Sequence, residues 1–159
     1  MSSRRAFLTT GGAVLGTVLA GCSTSDEADP PAGSLRFSNR HDLPHEVRLS
    51  VTDTGAERGE DRGTVTGDPE TVPGIPFTTT AQLEPETEQV FEGVFTEPVY
   101  YAAHHTVDGA EPANSQAEFA FNPAPPDREN TSFLEVQIDS SGVFGWVINT
   151  TENLGPFDS

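Results

Sequence analysis

The residues of this chain best suited to metal or redox chemistry are four histidines and a single cysteine. His41 and His45 lie on either side of a short turn, whereas His104 and His105 are neighbours in one predicted strand. Adjacent strand residues point to opposite faces of a sheet, so only one of this neighbouring pair can join a shared site. The sequence therefore allows a copper or zinc site of His41, His45 and His104 without requiring one. Surface or hydrogen-bonded histidines are the alternative.

The cysteine, Cys22, ends a segment that has the features of an export signal. Arg4 and Arg5 stand directly before an apolar run, which is the pattern of a twin-arginine signal. The run from Phe7 to Ala20 is shorter than the roughly 20 apolar residues that span a bilayer. Its end, Leu19-Ala20-Gly21-Cys22, resembles a lipobox, at which a peptidase cuts before the cysteine and lipid is attached to the sulfur. Residues 1–21 are therefore predicted to be a lipoprotein signal peptide, with an uncleaved N-terminal anchor helix as the alternative.

Lipidation of Cys22 would determine both the location of the protein and the chemistry left to it. The protein is expected at the outer face of the cell membrane, with membrane lipid as its first partner. Because the chain has no other cysteine, no thiol remains for a disulfide or for redox chemistry. Residues 22–33 comprise this cysteine and a small, polar, acidic stretch that is predicted to be a disordered tether.

The charge balance is strongly acidic, with 25 acidic and 8 basic residues and a net charge of −17. Cleavage before Cys22 removes Arg4 and Arg5 and no acid, so the mature chain keeps 6 basic against 25 acidic residues, a net charge of −19. Such a surface argues against nucleic acid as a partner, since nucleic acid requires positive charge. The lysine-free, acid-rich composition resembles that of proteins from salt-loving archaea. The resemblance implies a halophilic protein, in which molar salt screens the self-repulsion over about 3 Å.

Residues 34–150 are predicted to form one all-β domain, followed by a C-terminal tail at residues 151–159. Apolar and polar residues alternate with the period of strands, and no stretch after Cys22 sustains a helical period. The spacing of the strands favours a single two-sheet antiparallel sandwich, cupredoxin-like or immunoglobulin-like. The predicted strands include residues 35–37, 47–51, 63–67, 77–83, 89–96, 99–107, 117–122, 133–138 and 144–148.

Two turns of this domain carry specific expectations. Asp108-Gly109 is a common pair in two-residue hairpin turns, which would end the strand of His104 and His105. The last two strands are expected to pair as a hairpin in which apolar residues face one another. The expected facing sets are Leu134, Val136 and Ile138 on one strand and Phe144, Trp146 and Ile148 on the other.

A short segment of the domain resembles the cupredoxin family. The resemblance rests on Phe37-Ser38-Asn39 and Pro44-His45-Glu46-Val47, because in that family an asparagine shortly precedes a Pro-His pair that opens a strand. It covers residues 35–51 and implies a cupredoxin-like fold, in which the family's histidine binds copper. A blue-copper site also needs a second histidine, a cysteine thiolate and usually a methionine. Cys22 is at the anchor and the only methionine is Met1, so a blue-copper electron-transfer site is excluded.

Other motifs point away from catalysis. The sequence contains no G-x-S-x-G elbow and no H-E-x-x-H pair, so the chain is expected not to be an enzyme and to need no cofactor. Asn130 and Asn149 each begin an N-glycosylation acceptor pattern. The aromatic residues, Trp146 among them, alternate with polar residues and are expected to pack in the core rather than to form a ligand platform.

The function that these observations favour is that of a lipid-anchored extracellular module. It would bind an unknown protein or small-molecule partner, or associate with the envelope, without catalysis. A metal-handling cupredoxin-like protein that uses histidines for copper or zinc is one alternative. An accessory subunit of a membrane transporter or oxidase is another.

Overall fold

The structure, a computed structural model, describes residues 28–71, 73–113 and 116–158. The predicted signal peptide with Arg4 and Arg5, and the predicted lipid attachment at Cys22, lie outside these residues. Within them, no helix is long and apolar enough to cross a membrane. The strands are β1 (Leu35–Asn39), β2 (His45–Gly55), β3 (Glu57–Arg58), β4 (Val65–Thr66), β5 (Phe77–Leu83), β6 (Thr87–Phe91), β7 (Tyr100–Val107), β8 (Glu118–Phe121), β9 (Thr131–Ile138) and β10 (Phe144–Thr151), and a short 3-10 helix covers Gly155–Phe157.

The strands form two four-stranded sheets and a separate two-stranded hairpin. The first sheet has the strand order β10-β9-β1-β6, and the second has the order β5-β2-β7-β8. All pairs within the two sheets are antiparallel except β1 and β9, which run parallel. The prediction of an all-β, two-sheet sandwich is confirmed, and the structure adds one parallel pair to it.

The core lies between the two sheets and follows from the alternation of residues along each strand. The inward-facing apolar side chains of β1 and β2 are fully buried, and the residues that alternate with them along β2 are partly or fully exposed. Burial of each such side chain contributes about 1.5–3 kcal/mol. These inward residues are Leu35 and Phe37 on β1, and Val47, Leu49 and Val51 on β2.

The closing hairpin has the predicted register. Phe144 lies opposite Ile138, Trp146 opposite Val136, and Ile148 opposite Leu134. The predicted turn at residues 108 and 109 is also confirmed, since both residues have positive φ and close a two-residue turn between Val107 and Ala110.

The predicted strand at residues 89–96 is the clearest difference. The observed strand, β6, covers Thr87–Phe91 and ends before Gly93, which adopts a φ of 64°. Phe95 follows in a loop, yet its side chain is fully buried in the core. The apolar residue that extends the predicted strand, Phe95, is buried from a loop, and β6 itself ends at Phe91.

The edge strand predicted at residues 63–67 is present as β4, which pairs with β3. The resulting hairpin, here called the β3–β4 hairpin, covers residues 57–66. Gly63 presses its turn against β8, because a Cβ at this position would lie 2.6 Å from Glu118 Cβ, and the residue also has a φ of 78°. Only glycine allows both the positive φ and this close approach, so Gly63 lets the hairpin pack directly against the second sheet.

The two ends of the described chain meet. The Ala32 N–H donates to the Asn153 carbonyl at 2.8 Å, and Ala32 is fully buried. Packing therefore begins within residues 22–33, two residues before the predicted start of the domain. At the other end β10 extends to Thr151, one residue past the predicted boundary.

Candidate functional site

The structure joins two of the predicted histidines to an aspartate at one end of the sandwich. His41 Nδ1 lies 2.7 Å from His45 Nε2, and the two rings stack with centroids 5.0 Å apart. His45 Nδ1 in turn lies 2.6 Å from Asp108 Oδ2. The turn at residues 108 and 109 presents this carboxylate to the start of β2, where Asp108 Oδ1 also accepts the Glu46 N–H at 2.8 Å.

These contacts make the Asp108 carboxylate the acceptor at one end of the cluster. The hydrogen bonds from His45 and from the Glu46 N–H lower the pKa of Asp108, so its carboxylate is ionised and accepts. His45 donates to this carboxylate from Nδ1, and its Nε2 shares a hydrogen bond with His41 Nδ1. His41 Nε2 lies 3.3 Å from Asp42 Oδ1.

His104 does not belong to this cluster, so the three candidate metal ligands His41, His45 and His104 are not brought together. His45 shares the inner face of β2 with Val47, whereas His104 pairs in register with Ser50 on the outer face. The five-residue offset along β2 also separates them by about 16 Å. His104 Nε2 instead lies 2.9 Å from Glu111 Oε1. In the described ranges, no group of three or more His, Cys, Asp or Glu side chains could hold a metal ion.

His105 is a core residue and faces the opposite side of the sheet from its neighbour His104. It is fully buried, and its ring lies edge-on to those of Phe119 and Phe144. Nδ1 donates to the Ala117 carbonyl at 3.1 Å, while Nε2 has no partner among the described residues. Burial lowers the pKa of His105, because the charged ring would lose its hydration. The ring is therefore harder to protonate in the folded protein than in the unfolded chain.

We expect a His105→Phe variant to lose less stability on acidification than the wild type. As the pH falls through 6.5, the unfolded chain protonates this histidine before the folded state does, because the folded-state pKa is lowered, so acid favours unfolding. The effect reaches at most about 1.4 kcal/mol per pH unit. Urea unfolding at pH 7.5 and 5.5 in constant salt measures it, with the partly exposed His104→Gln as control. Equal acid sensitivity of wild type and His105→Phe would refute this role.

The asparagine of the cupredoxin-like segment organises the loop that carries His41. Asn39 is buried, and its Nδ2 donates to the carbonyls of Leu43 at 2.8 Å and Glu84 at 3.1 Å. Its Oδ1 accepts the His41 N–H at 3.0 Å. This side chain therefore fixes the turn between β1 and β2 and with it the position of both histidines.

A second candidate site lies where the edge strands of the two sheets meet. Phe119 of β8 and Trp146 of β10 stack with ring centroids 4.5 Å apart. The β3–β4 hairpin lies beside them and completes a cleft of about 390 Å³. The cleft is lined by Arg58, Arg62, Gly63, Gln116, Phe119, Ala120 and Trp146. It is called the arginine–tryptophan cleft below.

The hairpin holds at least one of its arginines in a defined position. Arg58 donates from Nη2 to the Ala120 carbonyl of β8 at 3.2 Å, and its guanidinium lies 5.9 Å from the centre of the Tyr100 ring. Within the described residues, neither Arg58 nor Arg62 has a carboxylate partner, and Arg36 is the only arginine that makes a salt bridge. Two guanidinium groups thus line one cleft of an otherwise acidic protein.

Trp146 is only half-buried and contributes its ring to this cleft. Its Nε1–H donates to the Gln116 carbonyl at 3.1 Å, so its polar atom is already satisfied. The expectation of core packing holds for Phe119, which is buried, and only partly for Trp146. The indole can both close the edge of the core and pack against a ligand.

Sequence reasoning did not identify the two arginines of the cleft. Arg58 and Arg62 stand among acidic residues in a long polar region, where charged side chains usually face solvent. The available signal was weak: two glycines, Gly59 and Gly63, bracket a turn that brings both arginines onto one hairpin. Nothing in the linear pattern placed that hairpin beside Trp146.

The two predicted glycosylation sites differ in their surroundings. Asn130 is exposed in the loop before β9. Asn149 lies on β10 and donates from Nδ2 to Glu135 Oε2 at 3.0 Å. Of the two, Asn130 is the more accessible to modification.

No protein-family model, curated protein or solved structure matches this chain.

Proposed function

We propose that the protein is a non-enzymatic surface lipoprotein. It is exported through the twin-arginine pathway, held at the outer face of the cell membrane by lipid on Cys22, and binds a small ligand in the arginine–tryptophan cleft. The anchor follows from the order of Arg4, Arg5 and the lipobox-like Leu19–Cys22 in the sequence. The acidic sandwich is then the part exposed to the medium.

The cleft is the observation that carries the binding role. Its volume of about 390 Å³ lies in the range of small-molecule sites, which combine apolar or aromatic walls with a few placed polar groups. Trp146 supplies the aromatic wall, with the buried Phe119 stacked behind it, and Arg58 and Arg62 supply the polar groups. The seating of the hairpin through Gly63 and the bond from Arg58 to Ala120 preform this arrangement, which reduces the cost of ordering on binding.

The Cys22→Ser variant tests the anchoring part of this proposal. Without the sulfur no lipid can be attached, so we expect the variant in the medium, while wild type sediments with the membranes. A Ser23→Ala variant is the matched control and should remain with the membranes. Fractionation followed by detection of the protein in each pool measures the outcome. Retention of Cys22→Ser in the washed membrane fraction would contradict the anchor.

A further inference from the structure

The arginine–tryptophan cleft also contains information on the class of its ligand. We propose that it binds a singly charged carboxylate carried on a ring, such as a uronic acid or an alicyclic acid. This inference rests on the proposed binding role of the cleft and goes beyond it by naming the ligand chemistry.

The charge of the cleft is opposite to that of the protein. The chain has a net charge of −17, yet Arg58 and Arg62 line the same cleft and have no carboxylate partner among the described residues. Most of the surface would attract cations and repel anions. Two guanidinium groups that line one cleft therefore favour an anion at this position. A phosphate would carry about −1.5 to −2 charges into the same repulsive field, so a monoanion is favoured.

The donors suit a carboxylate. A guanidinium group has five N–H donors in a planar fork that matches the two oxygens of a carboxylate. Arg58 uses Nη2 to reach the Ala120 carbonyl, which holds the group in place and leaves further donors available. Arg62 makes no side-chain hydrogen bond within the described ranges and retains its whole fork.

The wall of the cleft suits a ring. The Trp146 Nε1–H is already bonded to the Gln116 carbonyl, so the indole offers apolar surface rather than a donor. Phe119 supports it from within the core at a centroid distance of 4.5 Å. A rigid ring can pack on such a surface while its carboxylate reaches the arginines. A short acid such as acetate can pair with the arginines but cannot also pack on Trp146. A neutral ring can pack on Trp146 but has no carboxylate for the arginines.

Trp146 is the only tryptophan of the chain, so its fluorescence reports directly on this cleft. Mature lipoprotein in detergent at constant high salt would be titrated with glucuronate and cyclohexanecarboxylate as ring acids. Glucose and cyclohexanol are the neutral controls, and acetate is the control without a ring. We expect at least one ring acid to bind at least ten-fold more tightly than its neutral match and than acetate. Which ring acid binds distinguishes a sugar acid from an alicyclic acid.

Variants then assign the binding to the arginines. Arg62→Gln is expected to weaken the binding of the ring acid about ten-fold, since a charged hydrogen bond contributes about that factor to affinity. Arg58→Gln should do the same, and an unchanged melting temperature confirms that the hairpin is intact. Arg48→Gln is the matched control, because Arg48 is exposed on β2, does not line the cleft and has the same charge. Its affinity should stay within two-fold of wild type.

The possible results separate this inference from the proposed function. If glucose binds as tightly as glucuronate, or glucose 6-phosphate binds ten-fold more tightly, the ligand class is wrong while the cleft remains a binding site. If Arg62→Gln and Arg48→Gln have the same affinity for the ring acid, the arginines of the cleft do not select the ligand and the inference is overturned. If no probe changes the Trp146 signal, both the ligand class and the binding role of the cleft are overturned.

Discussion

A Glu135→Ala variant is expected to lose about 3 kcal/mol of unfolding free energy, because it leaves the partly buried Arg36 guanidinium without its counter-ion. Glu135 lies on β9 and is 4% exposed. Its carboxylate accepts hydrogen bonds from Arg36 at 2.7 Å, from Ser38 at 2.8 Å and from Asn149 at 3.0 Å. These donors come from β1 and β10, so the carboxylate ties together three neighbouring strands of the first sheet.

The pKa of Glu135 gives this network a defined pH dependence. Burial alone would raise the pKa, but the hydrogen bonds from Arg36, Ser38 and Asn149 outweigh burial and lower it. The unfolded chain therefore protonates first as the pH falls, so the stabilisation is complete above pH 4.5 and is lost at lower pH. Urea unfolding at pH 7 in constant salt measures the mutational loss. Glu135→Gln should lose less, and the exposed Glu129→Ala should stay near wild type; a loss below 1 kcal/mol for Glu135→Ala would contradict this account.

A Phe95→Ala variant is expected to lose about 3–5 kcal/mol, because it opens a cavity in the core. Phe95 is fully buried although it lies in the loop between β6 and β7. Its ring meets those of Phe121 and Tyr101 edge-on, at centroid distances of 4.9 and 5.1 Å. Its N–H also donates to the Gly33 carbonyl at 2.9 Å. One loop residue thus closes the core where the chain enters the domain.

The same urea unfolding experiment tests Phe95. Phe95→Leu retains most of the volume and should lose markedly less than Phe95→Ala. Val143→Ala is the surface control, because Val143 is 63% exposed and should change stability by no more than about 0.5 kcal/mol. If Phe95→Ala were as stable as Val143→Ala, Phe95 would not be part of the core.

Much of the fold could be predicted from the sequence because the strands are half-buried and their side chains alternate. The bounds of β5 and the register of β9 with β10 follow directly from that alternation. The parallel pairing of β1 with β9 could not be predicted, because it joins segments almost a hundred residues apart and depends on which sheet each strand enters. The sequence predicts Phe95 in a strand, because a buried residue in a loop is apolar just as an inward-facing residue of a strand is.

The candidate sites were predictable only where the residues are close in sequence. His41 and His45 were expected together, and the turn between them brings them together. Asp108 was identified as a turn residue, but its carboxylate reaches His45 only through the pairing of β2 with β7. His104 lies away from them because it is paired with Ser50, whose side chain is on the opposite face of β2 from His45. The positions of the histidines in the sequence do not reveal this pairing. The arginine–tryptophan cleft requires three distant segments to meet, and the sequence contains no local sign of that.

The most direct test of the central claim, a surface lipoprotein anchored at one residue, is the mass of the N-terminal peptide from membrane-extracted protein. We predict a peptide that begins at Cys22, carries lipid on its sulfur and lacks Arg4 and Arg5. An N-terminal peptide that still contains those arginines, or a Cys22 thiol that reacts with an alkylating reagent, would contradict the anchor and with it the assignment of the sandwich to the cell surface.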